Sequence, residues 1–173
     1  MRRILSFTFC ALLASPLAAA LPKGAVAPQI ATVGAVGGES FKLNLKDQLR
    51  KGPVVLYFFP AAFTKGCTLE AHAFSEAIPE FRKAGARVIG MSADPLDKLK
   101  KFSVEECRSA FPVASATPAT VAAYDVAWKE KPGLTKRTSY VIAPSGRIVM
   151  VHDDLDWSQH VAKTLAAVRA LKK

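Results

Sequence analysis

The sequence predicts an α/β domain with a mixed central β-sheet covered by helices on both faces. Two apolar runs, Val54-Val55-Leu56-Tyr57-Phe58-Phe59 and Val88-Ile89-Gly90-Met91 after Arg87, show no polar alternation, so both read as strands buried on two sides. A helical segment follows each run. Further on, two strands are joined by Pro144-Ser145-Gly146, a hairpin turn, and an amphipathic segment closes the chain. A βαβ order followed by a hairpin and a last helix suits a sheet with helices on both sides.

Taken in order, 22–28 is a loose lead-in, and Phe41-Lys42-Leu43-Asn44-Leu45 alternates like an edge or half-buried strand. Asp47-Gln48-Leu49 is a short helical turn, stopped by Gly52-Pro53 before the first buried strand. A helix from Cys67 runs to about Lys83, and Pro79 inside it should kink or divide it, since proline lacks a backbone donor. Asp94-Pro95 should cap a helix through Leu99, Phe102 and Cys107. Phe111-Pro112-Val113 reads as extended, and Thr117-Pro118 opens a small helix to Tyr124. A polar insertion, 128–136, precedes the hairpin strands 138–143 and 147–152. In the last helix, 158–171, Val161, Leu165, Val168 and Leu171 repeat at helical spacing.

The first twenty residues read as an address: Arg2-Arg3 form a positive start, Ile4 to Leu13 an apolar core containing Cys10, and Ala18-Ala19-Ala20 a small-residue cleavage site. The expected organisation is a signal peptide, 1–20, and one domain, 21–173, in the periplasm or outside the cell. The apolar run is too short for a good membrane span, so no stable membrane insertion is expected. Removing Arg2 and Arg3 lowers the formal charge from +10 to +8. The basic residues are dispersed, without a dense cluster or interleaved aromatics, which argues against nucleic acid as a partner. The domain retains two cysteines, Cys67 and Cys107, with no internal repeat or second domain.

Cys67 carries the chemistry. The first buried strand passes through Pro60-Ala61-Ala62-Phe63-Thr64-Lys65-Gly66 and delivers a lone thiol to the first turn of a helix. Unpaired N–H groups and the positive dipole end at such a position favour a thiolate. A lone cysteine is more often a small buried hydrophobe; the flanking residues tip the balance. The stretch resembles the peroxiredoxin signature Pro-x-x-x-Thr/Ser-x-x-Cys at Pro60, Thr64 and Cys67, and the resemblance runs along nearly all of the chain after residue 24.

The resemblance implies a thioredoxin-like fold and a thiol-dependent peroxidase acting on hydrogen peroxide and organic hydroperoxides, with no cofactor or metal. Cys67 would be the nucleophile, Thr64 would turn its hydroxyl towards the sulfur and a bound peroxide oxygen, and Pro60 would shape and shield the site. Arg137, just before Thr138-Ser139-Tyr140-Val141-Ile142, matches the family's active-site arginine, and Glu70 either holds it or sits on a helix face. The chain looks most like the monomeric PrxQ, or bacterioferritin comigratory protein, type. Many of these carry a resolving cysteine five residues after the first; here that position is His72, so Cys107 is the candidate resolving thiol. The usual acidic residue after the Phe-Pro strand is Ala116. An exported thioredoxin-like protein or a small thiol would be the reductant.

His72, His152 and His160 lack metal-ligand spacing with the cysteines and read as surface or partly buried. Trp128 and Trp157 read as packing residues, with Trp128 in the insertion able to border the site, and Asp153-Asp154-Leu155-Asp156 as a solvated, helix-capping stretch. A thiol–disulfide oxidoreductase would want Cys-x-x-Cys at the helix start, and a copper carrier Cys-x-x-x-Cys; neither is present. A non-catalytic binding or chaperone module on this fold is the remaining rival.

Overall fold

The computed structural model describes residues 20–171, so the expected leader, Ala20 aside, lies outside the described residues. The sheet has seven strands: β1 (Ala31–Val36), β2 (Glu39–Asn44), β3 (Val54–Phe58), β4 (Arg87–Ser92), β5 (Val113–Ser115), β6 (Thr138–Ile142) and β7 (Ile148–Asp153). Their spatial order is β2-β1-β5-β4-β3-β6-β7. β3, β4 and β5 run parallel; the β3–β6, β6–β7, β1–β2 and β1–β5 pairs are antiparallel.

Alternation along β3 builds two cores from one apolar run, because successive side chains of a strand point to opposite faces. Val55, Tyr57 and Phe59 pack with residues of α2 (Lys65–Lys83), α3 (Leu96–Glu105) and α5 (His160–Ala170), among them Phe74, Phe102 and Val168. Val54, Leu56 and Phe58 pack on the other face with Leu45 and Leu49 of α1 (Leu45–Leu49) and with Tyr124, just after α4 (Pro118–Ala123). This is the mixed, doubly covered α/β sheet expected. Among the described residues no helix is long and apolar enough to cross a membrane.

The structure departs from the sequence reading in five places. Strand β1 was not anticipated; its Gly34 lets β5 and Phe41 approach so closely that a Cβ there would stand 2.7 Å from the Val113 carbonyl oxygen. Pro79 does not divide α2, which runs unbroken from Lys65 to Lys83. Pro79 is exposed, so the carbonyl it leaves without a donor can turn to water.

Helix α3 stops at Glu105, and Cys107 lies beyond it rather than within it. The Cys107 N–H donates to the Phe102 carbonyl (2.9 Å), and Arg108 and Ser109 follow with φ of 49° and 56°. That left-handed turn folds Cys107 into the core, and no glycine announces it. Asp94 does not cap α3 either: its carboxylate accepts from the Ala62 N–H, Ser92 Oγ and Lys98 Nζ.

At the C-terminus a 3₁₀ turn, Trp157–Gln159, precedes α5, whose buried stripe is His160, Thr164 and Val168. Val161 and Leu165 are half-buried and Leu171 is exposed, so the helix is turned from the face its apolar residues suggested.

Candidate active site

Cys67 occupies the first turn of α2, whose N-cap is Thr64 and whose first i→i−4 bond is Thr68 N–H to the Thr64 carbonyl (2.9 Å). The N–H groups of Lys65, Gly66 and Cys67 therefore precede the helical ladder and point out of its N-terminus. The loop before the helix is held in place by Asp94 Oδ2, which accepts from the Ala62 N–H at 2.6 Å. Phe63 sits at φ 66°, and its ring packs edge-on against Phe102. Pro60 is buried, and Cys67 itself is 1% exposed. Thr64 is exposed and its hydroxyl donates to the Ala61 carbonyl (2.9 Å), so it does not point at the sulfur in this structure.

Arg137 reaches this site from the chain just before β6. Its Nη2 donates to Cys67 Sγ at 3.5 Å, its Nη1 pairs with Glu70 Oε2, and its Nε donates to the Leu155 carbonyl at 2.9 Å. Arg137 is 5% exposed and Glu70 is wholly buried. Lys136, its neighbour, points away to Asp153 Oδ2 (2.9 Å). Of the two readings for Glu70, holding the arginine is the one realised. Burial works against the Arg137 charge, but Glu70 and Cys67 together keep it more firmly protonated than a free guanidinium. Burial pushes the Glu70 carboxyl up to about 8, against the opposing pull of Arg137.

Behind Glu70 lies a residue that sequence reasoning placed elsewhere. His160 is fully buried, not a surface or partly buried histidine. Its Nε2 is 2.9 Å from the Asp154 carbonyl, which can only accept, so Nε2 carries the proton. Nδ1 is then the acceptor for Ser139 Oγ–H at 2.7 Å, and it stands 3.8 Å from Glu70 Oε1. Burial lowers His160 to about 4, in keeping with a neutral ring. The acidic stretch 153–156 is exposed, yet its backbone serves the site through the Asp154 and Leu155 carbonyls. Trp157 flanks Gly66, while Trp128 lines a separate cavity of about 600 Å³ with Ala116, Val121 and Leu134. The only trace of His160 in the sequence was the four-residue spacing His160-Thr164-Val168, masked by the more apolar Val161 and Leu165.

Cys107 belongs to the same hydrophobic cluster as Cys67 and is 0% exposed. Both thiols are free. Burial pushes the Cys107 thiol well above its ordinary range. Its turn is tied to α2 by the Ser75 hydroxyl, 2.9 Å from the Cys107 carbonyl, and by His72 Nε2 with Glu106 Oε2 at 2.8 Å.

A thioredoxin-like sheet presenting one buried thiol at a helix start, with an arginine on its sulfur, defines a thiol peroxidase. The chain belongs to the AhpC/TSA family, whose model matches residues 24–151, and it is a peroxiredoxin of the PrxQ, or bacterioferritin comigratory protein, type. It is 32% identical over 146 residues to peroxiredoxin Bcp of Escherichia coli, covering 81% of this chain and 90% of that one. Peroxiredoxin Bcp of Xanthomonas campestris is 34% identical over 127 residues, 69% of this chain and 78% of the relative. Among solved structures, peroxidoxin BcpB of Mycobacterium tuberculosis superposes with a TM-score of 0.77 at 32% identity, over 87% of this chain and 98% of that one.

Proposed function

We propose that the protein is an exported peroxidase in which Cys67 reduces hydrogen peroxide and organic hydroperoxides and Cys107 resolves the oxidised thiol. The observation that carries the reading is the Arg137 guanidinium 3.5 Å from Cys67 Sγ. In the first step the Cys67 thiolate attacks one peroxide oxygen: an S–O bond forms and the O–O bond breaks. The other oxygen leaves with the bonding electron pair and takes up a proton. Arg137 and the N–H groups of Gly66 and Cys67 face the charge that develops there, and Thr64 joins them once its hydroxyl leaves the Ala61 carbonyl. Pro60 backs the site without adding a competing donor.

The product is a sulfenic acid on Cys67. In the second step the Cys107 sulfur attacks it, forming the disulfide and releasing the oxygen as water. Since Cys107 is buried and tied to α2, its turn and the first turn of α2 must open for the sulfurs to meet. An exported thioredoxin-like protein or a small thiol then returns two electrons by thiol–disulfide exchange. The protein acts as a monomer, after loss of residues 1–20. The burial of Cys107 favours a second reading, a one-cysteine cycle in which an external thiol reduces Cys67 directly.

The tests are direct. Peroxide consumption by residues 21–173 is measured with alternative reductants, in the wild type and in Cys67→Ser; consumption that does not depend on Cys67 sinks the peroxidase reading. Non-reducing mass spectrometry after one equivalent of peroxide separates the two cycles. A Cys67–Cys107 bond supports resolution by Cys107, and a persistent sulfenic acid in the wild type rules it out. Cell fractionation with N-terminal sequencing tests export and a start at Leu21.

A further inference from the structure

We propose that His160 is a positioning residue whose Nδ1 holds a proton on Glu70, so that the Arg137 charge is left to balance the Cys67 thiolate and no net charge is buried. The inference rests on the reading of Cys67 as the reacting thiol. The buried groups form a line: Cys67 Sγ, Arg137, Glu70 and His160, with Arg137 Nη2 on the sulfur and Nη1 on Glu70 Oε2. An ionised Glu70 would by itself balance Arg137. With Cys67 ionised as well, two negative groups would compete for one guanidinium in a site sealed from water, which the low dielectric penalises. A proton on Glu70 removes the excess charge; the S–H proton of Cys67 then leaves to solvent, and no electrons are transferred.

Oε1 is the oxygen placed to carry that proton. It is buried and, among the described residues, has no hydrogen-bond partner, and it faces His160 Nδ1 at 3.8 Å. The ring cannot offer Glu70 a proton from Nδ1, because the Asp154 carbonyl fixes the hydrogen on Nε2. It can accept one: a turn of the carboxyl brings Oε1–H onto Nδ1, and the Ser139 hydroxyl, a rotor, gives way. A buried carboxyl that keeps its proton needs such an acceptor. The groups facing this pair are Arg137 and Ser139 from β6 and its approach, Tyr57 from β3, His152 from β7, Cys67 on α2, the Asp154 carbonyl, and the exposed Asp154 and Asp156 carboxylates, whose negative charge acts on His160. His152, 4.5 Å away between ring centroids, is held towards neutrality by burial and Lys163, so it adds no fixed charge.

The test is the rate of iodoacetamide capture at Cys67 in the reduced full-length protein from pH 4 to 9, read by mass spectrometry of the Cys67 peptide. His160→Phe, which fills the space without an acceptor, should slow capture at neutral pH about tenfold and move the profile about one unit to higher pH. His160→Gln, which keeps an acceptor, should restore it. Glu70→Gln, a mimic of the protonated carboxyl, should capture at least as fast as wild type, and adding His160→Phe to it should change nothing further. An unmoved profile in His160→Phe, or an equal slowing in the Glu70→Gln background, overturns the proposal. Should His160→Phe fail to fold, Glu70→Gln alone decides, since slower capture than wild type overturns it. Capture needs neither peroxide nor reductant, so it judges His160 separately from the peroxidase reading.

Discussion

Arg137 Nη2 lies 3.5 Å from Cys67 Sγ, although the two residues are seventy positions apart in the chain. One guanidinium thus spans the thiol and the buried Glu70, with its Nε anchored on the Leu155 carbonyl. A planar fork with donors on three separate nitrogens is what this geometry uses, and a lysine ammonium, whose donors all sit on one nitrogen, cannot span the same acceptors.

Replacing Arg137 with lysine should therefore be far from conservative. Stopped-flow peroxide reduction by Arg137→Lys is expected to fall about 100-fold, the scale of losing a donor aimed at developing charge. Lys136→Gln, which loses only a surface contact with Asp153, should keep the wild-type rate.

The proposed resolution by Cys107 should be limited by how firmly its turn is held. The Ser75 hydroxyl on the Cys107 carbonyl and the His72–Glu106 pair close the turn onto α2. Ser75→Ala combined with Glu106→Gln is expected to speed Cys67–Cys107 disulfide formation several-fold after a peroxide pulse, on the scale of about 1 kcal/mol per lost hydrogen bond. Quenched-flow alkylation followed by non-reducing electrophoresis measures it. A slower disulfide would mean that these contacts guide the approach instead of delaying it.

Stability should carry an unusual pH signature from the buried polar line. Glu70 keeps its proton up to about pH 8 when folded but loses it near 4.5 when unfolded, so the folded state binds the extra proton and stability falls as pH rises through that window. His160 acts in reverse, since it protonates near 6.5 unfolded but only near 4 folded, and stability falls as pH drops between those values. The two slopes oppose each other from 4.5 to 6.5, and of the two only Glu70 acts from 6.5 to 8. Urea midpoints at pH 6.5 and 8 should decline in the wild type more than in Glu70→Gln.

Gly90 should not tolerate a side chain. It pairs with Tyr57 across the parallel β3–β4 ladder, and a Cβ there would come within 2.9 Å of the Tyr57 ring and hydroxyl. The Tyr57 ring is stacked on Phe74 and fully buried, so it has nowhere to retreat. Gly90→Ala is expected to cost about 2 kcal/mol by urea denaturation, the usual scale of overpacking a core.

Much of this was written in local order along the chain. The all-apolar run 54–59 read as a strand covered on both faces, and the Pro60, Thr64 and Cys67 spacing placed the thiol at the start of a helix. Both follow from short-range rules: a strand's alternation leaves no polar face, and a Pro/Gly-bearing turn hands the chain to a helix. Arg137 is legible by its place before a β-strand together with the family resemblance. Only the packing of β6 against β3 turned Arg137 inward and sent Lys136 to Asp153.

What the sequence alone determined, then, was the α/β sheet, the lone thiol and its helix start, because these depend on neighbours within a few residues. The tertiary structure decided which charges meet that thiol. The 3₁₀ turn at 157–159 sets the rotational phase of α5, which buries His160 against Glu70 in place of Val161. The left-handed turn at Arg108 and Ser109 takes Cys107 out of its helix and into the core. Helix phase and helix ending are settled by a residue or two of backbone geometry, yet they swing a side chain across a whole face. Hydrophobic periodicity is too coarse to record a change of that size.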